Sequence, residues 1–160
     1  MNVFFDTSAL VKYFREEEGT RQVTALIQNP QNTLWIMELA RIEFISALFR
    51  HYRTGGLSKA QLESALGGFD QEYPRFQVEP LGRVLASEAE RLIRKYGQTE
   101  GLRTLDALHL AAFTLIAEQD WLFVAADNTL CHVVRQENHR VYHPLTDHLP
   151  GLVENESEAD

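Results

Sequence analysis

With a single cysteine, Cys131, among 160 residues, the chain can form neither an internal disulfide nor a multi-cysteine zinc centre, and it suits a reducing, cytoplasmic setting. It lacks any run of about 18 apolar residues, which excludes a membrane-spanning helix. No basic segment followed by an apolar core opens it, which argues against a secretory signal. Positive charge is also in deficit: 15 Lys+Arg stand against 23 Asp+Glu, a formal net charge of −8. That balance excludes a protein that grips polyanions over a broad basic face, so any nucleic-acid contact has to be local. Internal repeats and low-complexity linkers are missing too. The reading is therefore one domain over residues 1–150, followed by an acidic, mobile tail over 151–160 that carries Glu154, Glu156, Glu158 and Asp160.

What is present is apolar sequence in short, regularly interrupted stretches, at 44% hydrophobic residues overall. Val3-Phe4-Phe5 reads as a buried strand that stops at Asp6. Ser8 to Glu18 has helical spacing and ends at Gly19; Val23 to Gln28 is a second helix, and Leu34 to Met37 a second strand. Leu39, Ile42, Ile45, Leu48, Phe49 and Tyr52 form one stripe of a helix that Gly55-Gly56 ends. Ser58 and Gln61 have capping-box spacing and open a helix reaching Tyr73, with Gly67-Gly68 weakening its middle. A strand at Phe76 to Glu79 and a helix at Val84 to Tyr96 follow. A long helix then runs from Thr104 to about Gln119, with Leu105, Leu108, Ala112 and Leu115 turned to the core. Trp121 to Ala125 is a strand, Leu130 to Gln136 a helix, and Arg140 to Tyr142 an edge strand. The aromatic residues fall within these apolar runs and are assigned to the core. Alternating strands and helices imply an α/β fold: three layers, α/β/α, around a mostly parallel sheet of about five strands.

Ligands of open parallel sheets bind beyond the carboxyl ends of the strands, where strand order reverses. Asp6 and Asp127 each follow a strand, while Glu43 and Asp106 lie near the starts of helices. Most acids in a chain this acidic are solvated surface charges; these are set apart by their apolar neighbours, except Asp127, whose Ala-Asp-Asn setting is also a turn or cap signal. Were all four to meet ionised within about 6 Å at an effective dielectric of about 20, each pair would repel by about 3 kcal/mol and the six pairs by about 17. Folding stability is only about 5–15 kcal/mol. Such a cluster must take up protons or bind a hard cation through oxygen, with Mg2+ or Mn2+ the natural occupant. Ions of this kind orient and acidify a water and stabilise the leaving oxygen of a phosphodiester.

Asp6-Thr7-Ser8-Ala9-Leu10, Arg41-Ile42-Glu43-Phe44, Leu105-Asp106-Ala107-Leu108-His109-Leu110-Ala111 and Val124-Ala125-Ala126-Asp127, in this order and at these separations, resemble a PIN domain. The resemblance is to VapC-type toxins of type II toxin–antitoxin modules and covers residues 1 to 146. It implies a metal-dependent endoribonuclease with Asp6, Glu43, Asp106 and Asp127 as catalytic metal ligands, and Thr7 or Ser8 hydrogen-bonding a ligand carboxylate or water. The partners it implies are an RNA substrate, a cognate antitoxin protein and a second copy in a homodimer. One departure is Ala125, where the family often carries Ser or Thr. That departure and the acidic balance keep a second reading open, a catalytically weak or inactive PIN-fold module that binds a protein or RNA. A haloacid-dehalogenase-type phosphatase would need an Asp where Ser8 stands.

Other candidates carry less. His109 shares a helix face with Asp106 but reads as a core or capping histidine. Cys131, His132, His139, His143 and His148 have poor spacing for zinc. Arg41 and Arg103 are the candidate phosphate contacts at the rim.

Overall fold

Val3, Phe4 and Phe5 are all fully buried, although successive strand residues point to opposite faces. The first strand is therefore covered on both sides, the condition that selects a parallel sheet between helical layers. The computed structural model describes residues 1–148; the acidic segment 151–160 lies outside them. In chain order the elements are β1 (Asn2–Phe5), α1 (Thr7–Phe14), α2 (Thr20–Gln28), β2 (Thr33–Met37), α3 (Leu39–Arg53), α4 (Lys59–Glu72), a 3-10 turn (Tyr73–Arg75), β3 (Phe76–Glu79), α5 (Arg83–Tyr96), α6 (Thr104–Ile116), β4 (Leu122–Val124), α7 (Asn128–Gln136) and β5 (Val141–Tyr142). The five strands form one sheet in the order β3-β2-β1-β4-β5. Every pairing is parallel, with Phe4 opposite Trp35 on one side and Phe123 on the other. No helix among the described residues is long and apolar enough to cross a membrane.

Two apolar layers sandwich the sheet. Val3 and Phe5 pack with Leu10, Val23, Phe44 and Phe69 beneath α1 to α4. Phe4 packs on the other face with Leu92, Leu110, Phe113 and Val133 of α5 to α7. Strand order reverses at β1, since β2 and β3 lie to one side and β4 and β5 to the other. The carboxyl ends of β1 and β4 adjoin there, joined by Asp6 N–H donating to Val124 O at 2.9 Å. A crevice forms beyond them.

Several expectations shift in detail. Helix α1 stops at Phe14, not Glu18: Arg15 is extended, and Thr20 Oγ1 donates to its carbonyl at 3.2 Å. Helix α2 then begins at Thr20, three residues early, from Gly19 at φ +88°, a left-handed conformation that glycine adopts without strain. Gly67-Gly68 does not interrupt α4; a Cβ on Gly68 would meet the Phe14 ring at 3.6 Å, an ordinary van der Waals contact. Helix α6 ends at Ile116 because Ala117 is extended.

The buried faces of α3 and α6 need larger corrections. On α3 the buried stripe is Ala40, Phe44 and Leu48, while Ile42 is 64% exposed and Phe49 and Tyr52 are exposed as well. On α6 Leu105 and Leu115 face solvent, and the buried face includes Asp106, His109, Leu110 and Phe113. Both helices carry more apolar residues than one stripe can hold, so periodicity alone does not choose the buried side. Packing against the sheet chooses it.

Candidate active site

Asp6 leaves β1 in extended conformation and caps α1, its Oδ2 accepting from Ser8 N–H at 2.9 Å and from the Ser8 hydroxyl. The same hydroxyl accepts from Ala126 N–H at 2.9 Å, so the loop leaving β4 fixes how Asp6 points. Thr7, one residue on, donates to Glu43 Oε2 on α3 at 3.0 Å. Asp106 lies in the first turn of α6, nine-tenths buried. Asp127 caps α7, with Oδ1 accepting from Leu130 N–H at 2.9 Å. Asp6, Glu43, Asp106 and Asp127 all line one cleft of about 800 Å³. Thr7 and Ser8 line it too.

Two cations stand among the four acids. Arg103 donates through Nε to Asp106 Oδ2 at 2.7 Å and through Nη2 to Asp127 Oδ2 at 2.9 Å, bridging α6 and the β4 exit. His109 is 1% exposed; its Nε2 bonds Glu43 Oε2 and lies 3.8 Å from Asp6 Oδ1. Burial alone would lower the His109 pKa, but the Glu43 bond and the charges of Asp6, Glu43 and Asp106 outweigh it and raise it. For Glu43 burial works upward, and the bond and charge of His109 with the Thr7 hydroxyl hold the carboxyl below its ordinary range. Both directions describe an imidazolium–carboxylate pair. Asp106 goes the other way. Burial raises its pKa, Asp6 and Asp127 add to the rise, and Arg103 only partly opposes it.

The bare four-acid cluster used in the repulsion argument is thus interleaved with the protein's own cations. Among the described residues no three Asp, Glu, His or Cys side chains converge on one ion position. The donor chemistry nonetheless fits a hard cation: four carboxylates from separate segments open onto one cleft, and Asp106 is held under the pressure of two others. Arg103, the side chain interposed between Asp106 and Asp127, is 68% exposed. A swing into solvent would free both carboxylates.

Arg41 is not at the rim. It pairs with Asp70 at 3.0 Å and stacks 4.7 Å from the Tyr73 ring centroid, outside the cleft lining. Ala125 is fully buried in the apolar layer with Phe4 and Phe123, so its methyl belongs to the core and not to the cleft. Cys131 is buried, and burial pushes its thiol up to about 12. His109 is the residue that sequence reasoning passed over. Its position three after Asp106 was the available signal; the partner Glu43, 66 residues away in sequence, was invisible. Arg15 and His51, at the far end of the cleft, gave no signal because the residue that closes α1 and the last turn of α3 meet only in the fold.

The model of the PIN domain family matches residues 3–135. A comparison with curated proteins gives no significant match. Among solved structures the fold is similar to a chain of FitAcB from Neisseria gonorrhoeae, with a TM-score of 0.66, 15% identity, and coverage of 90% of this chain and 99% of that one. It is also similar to a chain of VapBC2 from Rickettsia felis bound to a DNA fragment from their promoter, with a TM-score of 0.61, 15% identity and coverage of 89% and 98%. A chain of DNA-bound VapBC from Salmonella typhimurium gives a TM-score of 0.58 at 14% identity, covering 90% and 98%.

Proposed function

This chain belongs to the PIN domain family, and from that premise we propose that it is a metal-dependent endoribonuclease, the toxin of a type II toxin–antitoxin module. The observation that carries the reading is the meeting of Asp6, Glu43, Asp106 and Asp127, from four separate segments, in the cleft where strand order reverses. Asp6, Glu43, Asp106 and Asp127 would hold Mg2+ or Mn2+. Bound there, the ion supplies an acidified water and charge stabilisation for the leaving oxygen of a phosphodiester. The protein's own groups do the positioning. Ser8 and the Ala126 amide fix Asp6, and Thr7 and His109 hold Glu43 ionised and in place. Arg103 balances Asp106 and Asp127 until substrate and cation bring their own charge.

Antitoxin binding and homodimerisation belong to the same reading. Support comes from Ile42, Phe49 and Tyr52, which leave one face of α3 apolar and exposed, with Leu105 exposed at the cleft, and from the fold's likeness to chains of VapBC and FitAcB. A cytoplasmic location follows from that role. The test is calorimetric titration of the protein with manganese alongside cleavage of a mixed-sequence RNA. Metal uptake and cleavage that both fail in Asp6→Asn and Asp106→Asn are the expected result; unchanged rates in both variants would remove the reading.

One observation favours the second reading, a PIN-fold module that binds a protein or RNA without cutting. Arg103 and His109 already answer much of the acidic charge. Absence of manganese uptake by the wild type, together with RNA or partner binding that survives neutralisation of all four acids, would establish it.

A further inference from the structure

The cleft is electrically divided along α3. Leu39, Glu43, Ser46, Ala47 and Arg50 line it from the same helix, and Glu43 and Arg50 are two turns apart, about 10 Å along the axis. Between them Ser46 and Ala47 keep the floor low. At the far end Arg15, from the close of α1, sets its Nη1 3.3 Å from His51 Nε2. Arg15 shares the Glu17 carboxylate with Lys12, at 2.7 and 2.9 Å. Arg50 makes no ion pair among the described residues. Around His51 two guanidinium groups thus stand against one carboxylate, and its pKa registers the imbalance: burial lowers it first, and Arg15 and Arg50 lower it further against the weaker pull of Glu17.

The two arginines that the sequence favoured as phosphate contacts are engaged, Arg41 by Asp70 outside the cleft and Arg103 by Asp106 and Asp127 inside it. A chain with net charge −8 has no general attraction for a polyanion, so affinity must come from a local cation. We propose that Arg50 and Arg15, flanking His51, form a phosphate-binding pole that holds the backbone of single-stranded RNA away from the bond being cut, with the acidic pole at the other end of the same strand. Guanidinium forks suit phosphate oxygens, and the neutral His51 ring adds a hydrogen-bonding group and no charge of its own. The inference rests on the ribonuclease reading for its substrate class and adds the direction in which the strand lies in the cleft.

The test is fluorescence anisotropy of a labelled, mixed-sequence single-stranded RNA with the full chain, in calcium in place of manganese, over a series of salt concentrations. Arg50→Gln should weaken binding about tenfold, the scale of one charge-assisted phosphate contact, and should flatten the dependence of log affinity on log salt by about 0.7. Arg50→Lys should restore the salt dependence. Arg41→Gln, which removes a cation outside the cleft, should leave affinity and slope as in the wild type. Wild-type affinity and slope in Arg50→Gln would overturn the proposal. So would RNA binding unaffected by Arg50→Gln with loss of binding to an acidic peptide, since the pole would then serve a protein segment. Manganese-dependent cleavage of the same RNA is read separately: absent cleavage with Arg50-dependent binding would sink the nuclease reading and keep the pole.

Discussion

Two charge clusters of this protein are built on opposite principles. At the acidic end of the cleft, Asp6, Glu43, Asp106 and Asp127 share two cationic partners, Arg103 and the buried His109. Between α5 and α7, one carboxylate, Glu137, accepts from Lys95 at 2.8 Å, Arg91 at 2.8 Å and the Tyr96 hydroxyl at 2.6 Å. Burial pushes the Glu137 carboxyl up, but these three bonds overcome it and bring its pKa down from 4.5 to about 2. The pKa of Asp106 is raised instead. A lowered carboxyl pKa marks a site whose charge stabilises the fold, and a raised one marks charge that the fold holds at a cost, as functional sites often do. Glu43, lowered through its His109 bond, sides with Glu137 here, so the contrast is between a carboxylate clamped by cations and Asp106, whose charge the cleft holds at a cost.

The comparison would break first at the acids. Asp6→Asn or Asp106→Asn should reduce RNA cleavage by about a thousandfold or more, on the scale of losing a metal ligand or a principal electrostatic group. Asp106→Asn should also unfold at a temperature no lower than the wild type at pH 7. Its folded pKa is raised, so stability is lost as pH climbs through the carboxylate range, and the amide removes that loss. A marked drop in melting temperature would place Asp106 with the stabilising charges.

Next in size is His109→Leu, which strands a part-buried Glu43 without its imidazolium and should cost about 2–3 kcal/mol in denaturant unfolding. Because the folded pKa of His109 is raised, its contribution is complete below the ordinary histidine value and fades as pH rises through the raised one. The gap between wild type and variant should therefore narrow toward alkaline pH; a gap that widens there would contradict the ion pair. Glu137→Gln should cost about 1–2 kcal/mol, since Arg91 and Lys95 are half exposed and water screens them. Its folded pKa is lowered, so the advantage of Glu137 is present above about 4.5 and disappears as pH falls toward about 2. Cleavage should not change; a large loss of activity would dissolve the distinction between the clusters. The smallest effect is expected of Phe49→Ser, within about 0.5 kcal/mol, because Phe49 is exposed on α3. A loss of several kcal/mol would return it to the core.

Element order and sheet class were legible because strand and helix signals alternate cleanly from Val3 to Tyr142, and the parallel sheet follows from strands buried on both faces. The ends of α1 and α2 were not, since they depend on Thr20 reaching the Arg15 carbonyl and on Gly19 turning left-handed. Candidate acids could be picked out where apolar neighbours set them apart, as at Asp6 and Asp106. Asp127 was harder, because it also caps α7, and one residue served two purposes. Ala125 looked like a missing hydroxyl at the site until its methyl was found in the apolar layer.

By itself the sequence determined which segments become strands and helices, since hydrophobic period, caps and breakers act over a few neighbouring residues. It also carried the family resemblance and the surplus of acid. Only the tertiary structure decided which faces of α3 and α6 are buried, because both helices have more apolar positions than one stripe needs. Tertiary structure likewise set Arg103 between Asp106 and Asp127, turned His109 to Glu43, and gathered Arg15 and Arg50 at one end of the cleft. Those pairings are contacts between distant segments, whose geometry exists only once the sheet has brought the helices together.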